Sequence, residues 1–227
     1  MSSTNSSMSS DEEEKNEIVI KIVMLGQCGT GKSSLVIRFI KNEFLEDIKT
    51  TVGANFFLSS VNFDEKTYSI RLWDTSGQEK FNSLTPLYYR NSNIAILVYD
   101  IKNISSLEKV KFWIKEIKNH VRVMPLIVIV SNKMDEYNKE LDFDTLVKAQ
   151  EIANKIGAEF VQTSAKTGEG VNDLFTKITQ KLVLERSSQI CQTIDQTIFD
   201  TSPSQQIEIG STNETDQNEK STSKCCF

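Results

Sequence analysis

A glycine-rich segment at residues 26–33 has the residue types that bind phosphate groups. It reads Gly-Gln-Cys-Gly-Thr-Gly-Lys-Ser and fits the pattern G-x-x-x-x-G-K-[ST]. Glycines leave backbone N–H groups free to converge on phosphate oxygens at the start of a helix. Lys32 can then neutralise the β and γ phosphates, and the Ser33 hydroxyl can bind magnesium. A glycine-rich turn is the alternative, but the flanking strand and helix favour a nucleotide site formed by Gly26, Cys28, Gly29, Thr30, Gly31, Lys32, Ser33 and Ser34.

A carboxylate at a predicted strand end could complete a metal site. Asp74 closes an apolar strand and begins the run Asp-Thr-Ser-Gly-Gln-Glu at residues 74–79. At that position it can bind magnesium directly or through water. Alone, the run is equally compatible with a turn, but beside a phosphate loop it favours a magnesium ligand.

Two polar loops follow the last two predicted strands and predict selectivity for guanine. The first contains Asn132, Lys133 and Asp135, and the second is Ser164-Ala165-Lys166. The Asp135 carboxylate can accept hydrogen bonds from N1–H and the 2-amino group of guanine, which adenine cannot supply. Asn132 can brace the loops, and the aliphatic stem of Lys133 can cover the base. Either loop alone would be weak support.

The scaffold must bring these strand ends together. Predicted strands span 18–25, 56–63, 67–74, 93–100, 126–131 and 159–163, and predicted helices span 32–41, 104–121, 143–156 and 171–184. This alternation predicts a doubly wound α/β domain with a mostly parallel six-stranded sheet. A short turn at 64–65 makes one strand antiparallel. In such sheets ligands bind beyond the carboxyl ends of the strands, where all the motifs fall.

Length and composition predict one domain with two tails. With 227 residues, 38% hydrophobic and 25% charged, the chain fits one globular domain at 18–186 rather than a membrane-spanning body. Residues 1–17 form a predicted disordered acidic leader without the features of a secretory signal. Residues 187–227 read as a disordered tail. Because both ends are acidic, no nucleic-acid partner is expected.

Together, these motifs resemble the small GTPases of the Ras superfamily over about residues 18–185. Further stretches at 52–56, 73–81, 88–90 and 97–101 resemble the Rab branch, and 83–87 is similar to Rabs of early endosomes. The resemblance implies a GTP hydrolase that switches between GDP- and GTP-bound states in vesicle traffic. It also implies that the protein acts on the cytoplasmic face of intracellular membranes, with endosomal membranes as the expected ones, and that a second pool is cytosolic.

The resemblance assigns further roles. Thr51 would bind magnesium when a γ phosphate is present, and Phe44 would contact the guanine face. Gly77 would donate its N–H to the γ phosphate, and Gln78 would orient the attacking water. The implied partners are an exchange factor, a GTPase-activating protein that supplies an arginine, and effectors. Cys28 replaces the usual glycine or serine and would crowd the γ phosphate, which predicts slow intrinsic hydrolysis; Ser76 replaces the usual alanine.

Two surface features remain. Strand alternation places Trp73 on the same, more polar face of its strand as Ser69 and Arg71. Trp73 is therefore either packed in the core or exposed to a partner. The resemblance favours an effector patch of Phe56, Trp73 and Tyr88.

The C-terminal residues Lys-Cys-Cys-Phe do not fit the pattern C-a-a-X. They resemble the paired cysteines of Rabs, implying two geranylgeranyl groups on Cys225 and Cys226, a geranylgeranyl transferase, a prenyl-binding chaperone and a membrane anchor. Unmodified cysteines are the alternative.

Two other functions stay open at this stage. A phosphate-loop kinase would need an acceptor-binding lid and a preference for adenine, against which Asp135 argues. A binding module that holds GTP with little hydrolysis is the second, against which Gln78 argues.

Overall fold

The computed structural model describes residues 18–199, with side chains through residue 188. The strands are β1 Ile18–Leu25, β2 Ala54–Phe63, β3 Lys66–Thr75, β4 Ile94–Asp100, β5 Leu126–Asn132 and β6 Glu159–Gln162. The helices are α1 Lys32–Lys41, α2 Thr85–Tyr89, α3 Ile104–His120, α4 Lys139–Ile156 and α5 Val171–Phe199. Single 3-10 turns lie at Glu79–Phe81 and Met134–Glu136.

The six strands form one sheet in the order β2-β3-β1-β4-β5-β6. β2 runs antiparallel to β3, and all other neighbours are parallel. The hairpin turns at Asp64 and Glu65, both with positive φ, as a two-residue turn between twisted strands requires. The predicted fold class is therefore confirmed.

Helices cover both faces of the sheet and bury two apolar clusters. Ile20, Ile22 and Met24 of β1 point to the face that packs against α1 and α5. Their neighbours Val23 and Leu25 point to the opposite face, towards α3 and α4. Successive side chains of a strand alternate between faces. Because both faces are covered, β4 is almost entirely buried and reads as a continuous apolar run.

The observed helices differ from the predicted ones by more than one residue in three places. α2 was not predicted because its five residues, with Pro86 at the start, are too few to show a helical period. α4 begins four residues before the predicted start at Phe143, since Asn138 caps it.

The third difference is the length of α5. It continues past the predicted end at residue 184 and past the predicted domain boundary at residue 186. Residues 187–199 are therefore helical rather than part of an irregular tail, and their isoleucines recur at four-residue spacing. The described residues up to Ser188 form one compact unit, and a second unit begins at Gln189. The leader 1–17 and residues 200–227 lie outside the described part, so the domain limits stay predictions. Within residues 18–199, no helix is both long and apolar enough to cross a bilayer.

The cap of α4 yields a stability prediction. The Asn138 side-chain oxygen accepts hydrogen bonds from the backbone N–H groups of Glu140 at 2.9 Å and Leu141 at 3.3 Å. Asn138→Ala removes both and should lower the free energy of unfolding by about 1 kcal/mol. Urea unfolding of the GDP-loaded protein measures this. Asn138→Ser keeps a capping oxygen and should stay near the parent; equal losses in the two variants would contradict the cap.

Candidate nucleotide-binding site

A cavity of about 360 Å³ opens at the carboxyl ends of the parallel strands. Its volume lies in the range of small-molecule sites. Most of the predicted nucleotide-contacting residues line it: Cys28, Gly29, Gly31, Lys32, Ser33, Ser34, Phe44, Thr51, Gly77, Asn132, Lys133, Asp135, Ala165 and Lys166. Gly26, Thr30, Asp74, Gln78 and Ser164 do not line it. The sheet thus brings together segments that are far apart in sequence.

The loop between β1 and α1 depends on two glycines. A Cβ on Gly26 would lie 2.2 Å from the Val98 carbonyl oxygen, and one on Gly31 would lie 2.3 Å from Asn132 Nδ2. Both residues also have positive φ. Gly31 is the N-cap residue of α1 and provides no side-chain cap, so the first N–H groups of the helix remain available. Such a helix start binds anions.

Lys32 is buried at the base of this loop, with 5% of its surface exposed. Its Nζ donates to the carbonyl oxygens of Gly26 at 3.0 Å and Gln27 at 2.9 Å. Burial lowers the pKa of Lys32 to about 8, although nearby Asp74 and Cys28 act in the opposite direction. A phosphate group in the cavity would favour the charged lysine.

Three predicted magnesium ligands meet beside Lys32. Ser33 Oγ donates to Asp74 Oδ2 at 2.7 Å and lies 2.9 Å from Thr51 Oγ1. Thr51 Oγ1 also donates to Asp74 Oδ2, at 3.3 Å. Hydroxyl and carboxylate oxygens are the ligands that Mg²⁺ prefers.

The state of Asp74 supports a cation at this position. The residue is fully buried, and its Oδ1 has no hydrogen-bond partner among the described residues. Burial raises the pKa of Asp74, while hydrogen bonds from Ser33 and Thr51 and the charge of Lys32 oppose the rise. A divalent cation would satisfy the unpaired oxygen and favour the ionised carboxylate. The residues present therefore fit Mg²⁺.

The segments that carry Thr51 and Gln78 are joined to each other and to the phosphate loop. A Cβ on Gly77 would lie 2.3 Å from the Cys28 backbone nitrogen, so Gly77 packs directly on that loop. The Ser76 N–H donates to the Gly53 carbonyl at 2.8 Å. Ser76 Oγ accepts from the Gln78 N–H at 3.3 Å. The hydroxyl that distinguishes Ser76 from alanine thus contacts the backbone of Gln78.

Asn132 joins the phosphate loop to the loop that follows β6 and contains Ser164, Ala165 and Lys166. Its side chain is buried, donates to the Thr30 carbonyl at 2.9 Å, and accepts from Thr163 Oγ1 and Ala165 N–H, both at 3.2 Å. Ser164 Oγ donates to Asp135 Oδ1 at 2.5 Å. Asp135 is therefore oriented by a residue of the other loop.

Lys133 has a second contact that its predicted role does not require. It adopts a left-handed conformation with φ 67°, and its Nζ lies 2.7 Å from Asp100 Oδ2. This ion pair fixes the end of the lysine whose stem was predicted to cover the base.

Some lining residues carry no motif and were missed. They are Leu45, Glu46, Ile48, Lys49, Thr50, Thr75 and Glu136. The only signal in the sequence was position, because the first five lie between Phe44 and Thr51.

The predicted effector patch forms outside the cavity. The Trp73 ring lies 5.1 Å from the Phe56 ring and 5.4 Å from the Tyr88 ring, centroid to centroid. Phe56 is 46% exposed, whereas Trp73 and Tyr88 are partly buried against the α3 side of the core. Trp73 therefore packs on the core and remains partly accessible, and its role in an effector patch stays a prediction. Cys225 and Cys226 lie outside the described residues.

Comparison with known proteins identifies the family. The Ras family model matches residues 21–184. The chain belongs to the Ras family of small GTPases. It is 43% identical to the GTP-binding protein ypt5 of Schizosaccharomyces pombe over 181 residues, 78% of this chain and 85% of that protein.

Two plant Rab proteins are similar over almost the same region. The chain is 41% identical to the Ras-related protein Rab5 of Nicotiana tabacum over 174 residues, 77% of this chain and 86% of that protein. It is 39% identical to the Ras-related protein Rab5A of Oryza sativa subsp. japonica over 169 residues, 74% and 82% of the two chains. The resemblance to the Rab branch is confirmed, and with it the prediction of a GTP hydrolase. Ras-family members bind GTP or GDP, generally with Mg²⁺, and Rabs act with exchange factors, activating proteins and effectors.

The orientation of Asp135 gives a test of base selectivity. Asp135→Asn should move nucleotide preference from guanine towards xanthine, because an amide cannot accept from both N1–H and the 2-amino group. Competition of GDP and xanthosine diphosphate for a fluorescent nucleotide measures the change. Glu136→Gln alters a neighbouring acid that also lines the cavity and tests whether charge alone matters. Unchanged GDP affinity and no gain for xanthosine diphosphate in the asparagine variant would contradict the role of Asp135.

Proposed function

We propose that this protein is a GTP-driven switch that recruits effectors in endosomal vesicle traffic. The observation that carries the proposal is the meeting of Ser33, Thr51 and Asp74 beside Lys32. It links a loop that binds phosphates to the segment around Thr51, so the occupant of the cavity can determine the conformation of that segment. The endosomal setting rests on the 39–43% identity to Rab5 and ypt5 proteins.

Each residue near the phosphates has a distinct task. The N–H groups of the glycine loop and the start of α1 bind phosphate oxygens, and Lys32 neutralises charge that develops on the β and γ phosphates. Ser33, Thr51 and Asp74 would hold Mg²⁺, which stabilises charge on the transferred phosphoryl group. Gly77 donates its backbone N–H to the γ phosphate. Gln78 then orients the water that attacks.

Loss of the γ phosphate releases two contacts at once. Thr51 binds Mg²⁺ when the γ phosphate is present, and the Gly77 N–H binds the γ phosphate itself. The Ser76–Gly53 hydrogen bond connects the segments that carry these two residues. After hydrolysis both segments lose a common anchor and rearrange. The segments that carry Thr51 and Gly77 border the patch of Phe56, Trp73 and Tyr88, so effectors can distinguish the two nucleotide states there.

Intrinsic hydrolysis should be slow for two reasons. Within the described part of the chain, no arginine lines the cavity, so an activating protein would supply one to stabilise the transition state. Cys28 is exposed and lines the cavity, with its backbone nitrogen beside Gly77, so its side chain would compete for the space of the γ phosphate.

Replacing Gln78 tests the catalytic assignment. Gln78→Leu should slow single-turnover phosphate release by about tenfold or more, because a hydrocarbon cannot orient water. Binding of GTP should stay close to the parent, since Gln78 does not line the cavity. Glu79→Gln changes the adjacent exposed side chain and should hydrolyse GTP at the parental rate. Phosphate release from the leucine variant at the parental rate would refute the role of Gln78, whereas no measurable release from the parent would favour a module that merely holds GTP.

The C-terminus is proposed to carry two geranylgeranyl groups on Cys225 and Cys226. Residues 187–227 contain six acidic and two basic residues, so they lack the basic patch that assists a single lipid at an anionic membrane surface. One chain would then bind only marginally, whereas two give stable anchoring. A geranylgeranyl transferase would attach them, and a prenyl-binding chaperone would maintain the cytosolic pool. The protein would act on the cytoplasmic face of endosomal membranes.

Cysteine variants separate one lipid from two. Cys225→Ser or Cys226→Ser should move much of the protein to the cytosol, and the double replacement should move nearly all of it. Membrane fractionation gives the distribution, and intact-mass measurement of the parent shows the modification. Full membrane retention of the double variant, or an unmodified parental terminus, would rule out the double anchor.

A further inference from the structure

Arg38 joins α1 to the last base-contacting loop through three backbone carbonyls. Its Nε donates to the Ala165 oxygen at 2.9 Å, and one terminal nitrogen, Nη2, donates to the Lys166 oxygen at 2.8 Å. The other terminal nitrogen, Nη1, donates to the Asn42 oxygen at 2.8 Å. Ala165 and Lys166 line the nucleotide cavity, but Arg38 does not. It therefore acts on the site through the loop.

The geometry requires an arginine. Two N–H donors on one edge of the planar guanidinium meet two consecutive carbonyls, while a third donor serves a carbonyl of another segment. A lysine places three donors on a single nitrogen and cannot span these positions at once. The stem also lies against Gly168, where an added Cβ would be 3.5 Å from Arg38 Cδ. Charge alone cannot replace this arrangement.

The loop that Arg38 contacts determines the orientation of Asp135. Ser164, the residue before Ala165, donates its hydroxyl to Asp135 Oδ1. The Ala165 N–H donates to Asn132 Oδ1. A shift of residues 164–166 would therefore displace the side chains of Asn132 and Asp135.

We infer that Arg38 is a positioning residue for guanine recognition, acting through Ala165 and Lys166 on Ser164 and from there on Asp135. This inference rests on the proposed function, because it takes Asp135 as the residue that recognises the guanine 2-amino group. Arg38 sets how tightly the base is bound and how well guanine is distinguished from a purine without that group.

The third contact connects the base loop to the segment that leads to Thr51. Asn42 ends α1 in a left-handed conformation, and its N–H donates to the Arg38 carbonyl at 2.9 Å. The segment that leads to Thr51, residues 42–51, therefore starts at this helix end. A partner that displaces the start of this segment also removes one of the three acceptors of Arg38, so opening of the segment and loosening of the base loop are coupled.

Two variants and one matched control test the role of Arg38. Arg38→Lys keeps the positive charge and the aliphatic stem but loses the planar guanidinium group. Arg38→Gln loses the guanidinium group and the charge. Each should speed dissociation of a fluorescent GDP analogue by about tenfold, the effect of losing one or two hydrogen bonds from a charged group. Each should also reduce the preference for GDP over inosine diphosphate, which lacks the 2-amino group, by about threefold or more.

The control is Phe39→Leu, the next residue on α1. The Phe39 ring stacks on Phe175 with centroids 3.9 Å apart, so the substitution weakens the packing of α1 on the core without touching the loop. It should lower the melting temperature yet leave the GDP dissociation rate and the GDP-to-inosine diphosphate preference at parental values. This separates a stability effect from a positioning effect.

A double variant tests the proposed route. In a Ser164→Ala background the link to Asp135 is already absent, so Arg38→Lys should cause no further loss of preference between GDP and inosine diphosphate. Parental dissociation and preference in both Arg38 variants would overturn the inference. Equal acceleration for both nucleotides with an unchanged preference would also overturn it, since that result indicates a structural role alone. If the parent itself shows no preference for GDP over inosine diphosphate, the proposed guanine role of Asp135 fails first.

Discussion

The buried carboxylate of Asp74 is the constraint on which the rest of the site depends. An ionised carboxylate is costly to bury without partners, yet Asp74 lies at the end of β3, fully removed from solvent. Two hydroxyls, from α1 and from the loop before β2, supply hydrogen bonds, and Lys32 supplies positive charge. With Asp74 itself on β3, the interacting groups come from three separate segments. The carboxylate therefore stabilises a closed arrangement of those segments, and a cation on its unpaired oxygen would strengthen it.

Motif residues were predictable because their roles are tied to element ends. β1 and α1 have the limits that the apolar pattern indicated, and the phosphate loop fills the gap between them. Asp74 and Asn132 lie at the carboxyl ends of their strands, as expected from the doubly wound pattern. A local pattern therefore located most of the candidate site. The hairpin of β2 and β3 followed in the same way from a two-residue turn.

Residues that act through other residues were not predictable. Arg38 reads as an ordinary polar position of an amphipathic helix, and its contacts with Ala165 and Lys166 span 127 and 128 positions of sequence. Asp100 reads as the polar end of a buried strand, and its pairing with Lys133 depends on the left-handed conformation of that lysine. Such contacts depend on the three-dimensional fold. The helical residues 187–199 were missed for another reason, because polar composition outweighed a weak four-residue period.

The predicted effector patch combines a contact within the sheet, between Phe56 and Trp73, with a contact to a short helix, between Trp73 and Tyr88. Phe56 and Trp73 are opposite residues of the β2–β3 pair, so the sheet itself sets their spacing. Tyr88 lies in α2, a five-residue helix that follows the segment of Gly77 and Gln78. If that segment moves when the γ phosphate is lost, Tyr88 would shift relative to a pair of rings that the strand pairing keeps in place. The nucleotide state would therefore change the Trp73–Tyr88 contact, while the Phe56–Trp73 pair would stay the same in both states.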